Sequence, residues 1–454
     1  MSSLAATSVW LARMASSLTP RRLRAHAIIL AVCLWGVCAI DFATPGIFDR
    51  SANIKFQDFL SFYISGKLIA QGRAADLYDE SVRHEELLAI VRSPEGFHEN
   101  SPRPTAAPTP YLPNLYGPQV ASLFVPFTRL PFLTAAGTWV VLCLLIYFGC
   151  LFLVLKSGAP RLAASAGSVD FRLNFHQHSA LLGLAAIAFP PLFHFFVRGQ
   201  ISVLVLACFT AAFVALQADQ LWLAGLALGF LIFKPQFLVA IPLILLLAQS
   251  WKILGGLLIS ASAQLALTRL YFGPAVMRSY LDVLLHTSRW IDLAELPLAR
   301  VQMHSLRSFW TLLIPASPIA LALYVFSSIF VIALTAAIWK SQLSVALKFS
   351  ALTFAAVLAN PHLFVYDLLV LAPALLLLAN WTLDNEQHSF TPPLRLLLYL
   401  AFLLPLFGPT SQWTHLQLSV PVFVAILWTL HHFRNRDDMR AEPRPIATPQ
   451  QSDP

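Results

Sequence analysis

Asp58 heads a stretch in which Phe56, Phe59, Leu60, Tyr63, Ile64 and Leu68 recur at helical spacing. A carboxylate at the start of such a helix, just outside the first apolar span, can take a proton from a hydroxyl group. The same residue also suits a solvated helix face. Asp41, at the end of that span, is the competing carboxylate. Lys234 interrupts a long apolar run, where a charge costs about 2.5–3.5 kcal/mol on insertion scales. Pro235 follows and frees backbone carbonyls, and Gln236 comes next. An ammonium group there either snorkels to the interface or serves as a point charge for a phosphate. Arg198-Gly199-Gln200 joins two apolar spans with almost no loop, as a tight turn or as a second cation and an amide beside Lys234. Asn360-Pro361-His362, with Tyr366-Asp367, makes another polar break. His362 there either ends a helix or exchanges a proton with a carboxylate or phosphate oxygen.

These residues are set among elements built for lipid. Of 454 residues, 57% are hydrophobic and 11% charged, against about 25% charged in an ordinary soluble domain. A water-soluble fold cannot hide that much apolar surface, and the same composition excludes disorder. The formal charge is +8, yet the basic residues do not gather on a soluble domain. They flank apolar spans, at Arg21, Arg22 and Arg24 and at Arg434, Arg436 and Arg440, which points to cytoplasmic retention rather than nucleic acid.

Apolar spans are expected at about Ala25–Phe42, Thr134–Leu155, Ser179–Val197, Ile201–Leu216, Leu221–Phe233, Phe237–Ala248, Ile253–Tyr271, Ile319–Trp339, Phe349–Leu358, Leu368–Trp381, Leu394–Phe407 and Leu418–Phe433. Leu221–Ala248 reads as one tilted helix or as two short ones meeting at Lys234. Two helices put Lys252, Lys340, Lys348, Arg395 and the C-terminal arginines on the same side as Arg21–Arg24, and charge bias favours that choice. The expectation is an all-α polytopic protein of the cell (inner) membrane with about twelve crossings. Residues 1–24 form a basic cytoplasmic N-terminus, 25–433 the membrane domain and 434–454 a disordered cytoplasmic tail. Residues 43–133 form a long outer loop, acidic, ending in a proline-rich stretch, with a short amphipathic helix on the membrane surface. Residues 272–318 form a second outer loop. Asp58, Arg198, Lys234 and Asn360 then converge on one face, as a site requires.

The sequence has no GxxxxGKS phosphate loop, no HExxH and no GxSxG elbow, nor an Asp-x-Asp pair in the outer loops. ATP-driven transport and metalloprotease chemistry lose support. Cys33, Cys38, Cys143, Cys150 and Cys208 all lie in apolar stretches and read as small core residues.

Four segments together carry a resemblance: Gln57-Asp58-Phe59 with Gly66, Gly72 and Tyr78; Tyr111-Leu112-Pro113 with Pro126, Pro131 and Trp139; Gly199-Gln200 with Gly225, Gly229 and Lys234-Pro235-Gln236; and Asn360-Pro361-His362 with Tyr366-Asp367. In that order the chain resembles glycosyltransferase family 87, which includes polyprenol-phosphate-mannose-dependent mannosyltransferases. The resemblance implies a GT-C-like bundle with its active site on the outer face and Asp58 as base. It implies a polyprenyl-phosphate sugar as donor, a lipid or glycan hydroxyl as acceptor, and no metal or other cofactor. Lys234, Arg198, Gln200, Gln236, His362 and Asp367 become the residues for donor phosphate and sugar, with Tyr111 and His304 as secondary candidates. His304 lies in Gln302-Met303-His304-Ser305-Leu306, which only loosely matches the family's polar segment. A lipid or polyol transporter, or a member that binds lipid-linked sugar without catalysis, is the alternative; the long acidic outer loop favours the enzyme.

Overall fold

Thr19 and Pro20 start the first helix. Thr19 Oγ1 accepts from the Arg22 N–H at 3.3 Å, and Pro20 fits the first turn, where no N–H is needed. This helix, α1 (Pro20–Phe42), presents Ile29, Val32, Val37 and Ile40, each more than half exposed. Such a ridge, on a helix long and apolar enough to cross a bilayer, suits contact with lipid. The computed structural model describes residues 15, 17–94, 114–159, 175–294, 301–315 and 317–440.

The described residues form a helical bundle with isolated bridges only and no named strand. After α1 come α2 (Gln57–Ala70), α3 (Glu80–Val91), α4 (Pro118–Phe124), α5 (Phe132–Gly158), α6 (Phe175–Ile187), α7 (Pro190–Arg198) and α8 (Ser202–Gln217). They are followed by α9 (Leu221–Gly229), α10 (Ile241–Leu247), α11 (Trp251–Ala294), α12 (Leu306–Leu313) and α13 (Pro318–Lys340). Last are α14 (Val345–Leu358), α15 (Leu371–Asp384), α16 (Thr391–Leu403) and α17 (Ser419–Arg440). Helix α14 is buried along most of its length and lies at the centre.

The chain is a multi-pass membrane protein. Six helical stretches are long and apolar enough to cross a bilayer, and the α6–α7 pair, bent by 44°, makes a possible seventh. The twelve crossings expected from hydropathy therefore resolve into these long spans plus shorter apolar helices of 10–17 residues. A helix of that length covers about 15–25 Å, less than the roughly 30 Å hydrocarbon core.

Leu221–Ala248 does break at Lys234, whose φ of −128° and ψ of 71° leave the helical region. The direction of the chain on either side follows from glycines. A Cβ on Gly225 would lie 2.1 Å from the Ile253 carbonyl oxygen, and one on Gly229 would lie 2.4 Å from that of Leu257. Gln264 Nε2 reaches the Gly229 carbonyl at 3.3 Å. Residue numbers rise together on both helices, so α9 and the start of α11 run parallel, and the chain must reverse between them. The reversal is the turn at Lys234-Pro235-Gln236, and α9 and α10 form a hairpin.

Other expectations are corrected. Helix α2 forms where the spacing places it, and Gly72, at φ +73°, follows its end. Its apolar residues face protein rather than the membrane surface: Phe59, Leu60, Phe62, Tyr63, Ile64 and Leu68 are all buried. Gly66 lets α2 approach α4 so closely that a Cβ would lie 2.8 Å from the Phe124 carbonyl carbon. The second outer segment is not a loop at its start. Helix α11 continues to Ala294 through a kink at Gly273 (φ +81°) and Pro274. Helix α17 continues past Phe433 to Arg440, into the stretch expected to be a disordered tail, and 441–454 lie outside the described residues.

Several described acidic residues of the 43–133 segment have structural roles. Asp79 caps α3, accepting from Ser81 N–H at 2.9 Å and Val82 N–H at 3.2 Å. Glu86 pairs with Lys67 at 2.9 Å and Arg73 at 3.2 Å, fastening α3 to α2. Asp58, at the other end of α2, is directed elsewhere.

Candidate active site

Asp58 sits in the first turn of α2, where the helix dipole favours a carboxylate. The chain enters this helix through Phe56, held at φ +54° and edge-on to Phe42 and Phe196. Across from it, α7 ends at Arg198 and the chain turns at Gly199. That glycine is needed twice: its φ is +68°, and a Cβ would lie 2.7 Å from Phe59 Cβ. The turn brings both of its neighbours to Asp58. Gln200 Nε2 donates to Asp58 Oδ2 at 2.8 Å, and Arg198 Nη1 lies 3.6 Å from Asp58 Oδ1. The Gln200 amide cannot be reversed without loss, because its Oε1 accepts from Tyr116 Oη at 3.3 Å and from the Ile201 N–H at 3.1 Å. Arg198 Nη2 also donates to Gln302 Oε1 at 3.3 Å.

Beside this group lies a buried one. Lys234 and Asp367 are each 2% exposed and form an ion pair between Nζ and Oδ1. Ser202 bridges them, accepting from Lys234 Nζ at 3.0 Å and donating to Asp367 Oδ1 at 2.6 Å. The ammonium group also lies 5.9 Å from the Tyr116 ring and 5.4 Å from the Tyr366 ring. Tyr116 therefore touches both groups, with its hydroxyl on Gln200 and its ring against Lys234.

Residues 301–305 close the third side. Met303 forms an antiparallel bridge with Phe364, and Val365 N–H donates to the Gln302 carbonyl at 2.8 Å. Gln417, buried, donates through Nε2 to the Val301 and Met303 carbonyls at 3.1 and 2.8 Å. His362 lies in the turn between α14 and the helical turn Val365–Val370, with its ring edge-on to Phe364. Burial pushes this imidazole down to about 4, against the opposing pull of Asp367 and with the push of Arg307 and Lys234. The ring is thus neutral at neutral pH.

The structure brings Asp58, Arg198, Gln200, Lys234, Asp367 and His362 to one end of the bundle. Lys234 differs from its expected state. Its charge is already countered, so a phosphate reaches it only by displacing Asp367. Gln236 is half-buried past Pro235 and takes no part in this hydrogen-bond network. Asp41 is apart from it: its Oδ1 accepts from the Arg50 N–H at 3.2 Å, closing the turn after α1. His304 is fully buried with Nδ1 2.8 Å from Ser419 Oγ, joining the 301–305 segment to α17. Burial, with His194 nearby, lowers its pKa to about 3. Tyr111 lies outside the described residues. Sequence reasoning missed Tyr116, Ser202, Gln302 and Arg307. Ser202 carried one usable signal, its position directly after the Arg198-Gly199-Gln200 turn.

No curated protein and no solved structure matches the chain. A family model does: that of glycosyltransferase family 87 matches residues 114–363, more than half of the sequence. The match covers the Gln200, Lys234 and Asn360 turns, and the chain belongs to glycosyltransferase family 87.

Proposed function

We propose that this membrane glycosyltransferase moves a hexose, mannose by family resemblance, from a polyprenyl-phosphate donor to an acceptor hydroxyl on a lipid or glycan. The reaction takes place at the outer face of the cell membrane and inverts the anomeric carbon without a metal. The observation that carries the reading is the Asp58 carboxylate, partly open to solvent and fixed by Arg198 and Gln200 beside a buried Lys234–Asp367 pair.

In this reading Asp58 takes the proton of the acceptor hydroxyl. The freed oxygen pair bonds to the anomeric carbon, and the bond from that carbon to the phosphate oxygen breaks. Its electron pair leaves with the polyprenyl phosphate, whose growing negative charge needs fixed donors nearby. Arg198 is the more open cation at Asp58, with 34% of its side chain exposed. Lys234 and Asp367, with Ser202, hold the three turns in register, and His362 and Gln236 lie towards the donor. The lipid tail enters sideways from the bilayer. The accompanying topology has both termini inside, twelve crossings, and Lys234 at the outer tip of the α9–α10 hairpin.

Purified protein is incubated with radiolabelled polyprenyl-phosphate sugars and a membrane extract. The expected outcome is a labelled product that is lost in Asp58→Asn. No product with any donor, together with movement of intact donor across proteoliposomes, would replace the transferase with a lipid transporter.

A further inference from the structure

Two of the cations at this site each face a carboxylate, and a third does not among the described residues. Arg198 faces Asp58, and Lys234 faces Asp367. Arg307, in the first turn of α12, has no carboxylate partner. Its Nη1 donates to the Pro361 carbonyl at 3.2 Å, and the side chain is half-buried. The adjoining turn supplies two further buried polar atoms without partners. Asn360 is fully buried, and its Oδ1 accepts from the His362 N–H at 2.9 Å, which fixes the direction of the amide. Its Nδ2 then finds no acceptor, and neither of two possible roles is filled at the buried His362 Nδ1. A buried donor left unpaired loses its hydration without replacement, so native proteins rarely keep one without a use. A guanidinium, an amide N–H and an imidazole nitrogen around one turn suit an oxyanion.

We propose that Arg307, Asn360 and His362 form the seat of the donor's phosphate, an oxyanion carried on a lipid. The proposal rests on the transferase reading and adds Arg307 and Asn360 to it. A sugar phosphodiester carries one negative charge, and Arg307 supplies one uncompensated positive charge. Arg198 and Lys234 would each have to give up a carboxylate to do the same. When the bond to the sugar breaks, charge grows on the phosphate oxygen, and the Asn360 N–H already stands buried and unpaired beside it. His362 has the Asp367, Arg307 and Lys234 charges around it, which sets this seat against the buried pair.

The test uses the full chain in detergent with farnesyl phosphate as probe, and farnesol and inorganic phosphate as controls. Farnesyl phosphate should bind, farnesol should bind at least tenfold more weakly, and inorganic phosphate should compete only at much higher concentration. Arg307→Met should weaken farnesyl phosphate at least tenfold, and Arg307→Lys less. Asn360→Asp, which keeps the shape but turns the donor into a negative charge, should also weaken it at least tenfold. That variant carries the test if Arg307→Met fails to fold, as judged by gel filtration and melting. Wild-type affinity in folded Arg307→Met or Asn360→Asp would overturn the proposal. Inorganic phosphate competing as well as farnesyl phosphate would assign the seat to free phosphate and overturn its lipid part. Arg307-dependent binding in a chain that transfers no sugar would leave the seat standing and remove the transferase; sugar transfer with Arg307-independent binding would do the reverse.

Discussion

Asp58→Asn keeps the shape of the side chain and most of its hydrogen bonds, but an amide does not take a proton at neutral pH. Loss of a general base costs about 10²–10⁴-fold in rate. The substitution also releases Arg198 from its carboxylate, so affinity for an anionic donor should hold or tighten while transfer collapses. A transfer assay and a donor titration on one preparation separate the two effects. Asp41→Asn, made in parallel, should transfer normally, since the Asp41 carboxylate bonds the Arg50 N–H in the turn after α1 and not the Asp58 group. The base would be misassigned if Asp41→Asn were dead and Asp58→Asn active. Lys234 was readable in advance because a charge in an apolar run is expensive, Arg198 and Asp367 because they mark polar breaks between spans, and Asp58 because it heads a stretch of helical apolar spacing. Their partners were not. Gln200 meets Asp58 across 142 residues, and Tyr116 and Ser202 are hydroxyl residues of a kind that occurs throughout the chain. Nothing local to Lys234 says that Asp367 has already neutralised it.

That pairing changes what a substitution in the α9–α10 hairpin should do. Lys234 lies at the tip of the hairpin, and Asp367 lies in the turn that leads into α15. Removing one partner of a buried ion pair leaves the other charge uncompensated, which costs about 3–5 kcal/mol, whereas replacing both with apolar side chains is often close to neutral. Lys234→Met should therefore destabilise the fold strongly, Asp367→Leu likewise, and the double variant should recover much of the loss. Unfolding in increasing denaturing detergent gives the comparison. A stable Lys234→Met with weakened donor binding would instead return Lys234 to the role of direct phosphate ligand. The elements themselves were readable to within a few residues wherever hydropathy alternates between span and turn. What covers a helix was harder. The apolar spacing of α2 announced a buried face, but spacing is the same whether lipid or Phe124 lies opposite, and only the close approach at Gly66 distinguishes them. The Gly273–Ala294 stretch looked like loop because it is polar, yet it continues α11 beyond the kink.

The orientation of the whole chain depends on the same hairpin. Helix α8 leads away from the Gln200 turn, so Asp219 and Gln220 lie at the far end of the bundle. If the chain reverses at Lys234, Lys252 returns to that far end; if Leu221–Ala248 were one crossing, Lys252 would lie at the site end. The parallel register of α9 with α11 favours reversal, as does Trp339 Nε1 donating to Ser250 Oγ at 2.9 Å near the end of α13. Charge bias reaches the same answer independently, since reversal keeps Lys252 and Lys340 with Arg21–Arg24. Glu80 and Lys252 are both exposed and make suitable labelling positions. With the signal of the native cysteines subtracted, a membrane-impermeant maleimide should label Glu80→Cys in intact cells. Lys252→Cys should react only after permeabilisation. A reporter fused after Arg440 should read as cytoplasmic. Labelling of Lys252→Cys from outside would make Leu221–Ala248 a single crossing, invert every later loop, and move Asn360 and Asp367 away from Asp58. The hydrogen bond from Ser202, beside the Gln200 turn that holds Asp58, to Asp367 would then be impossible, so this experiment tests the active site as well as the topology.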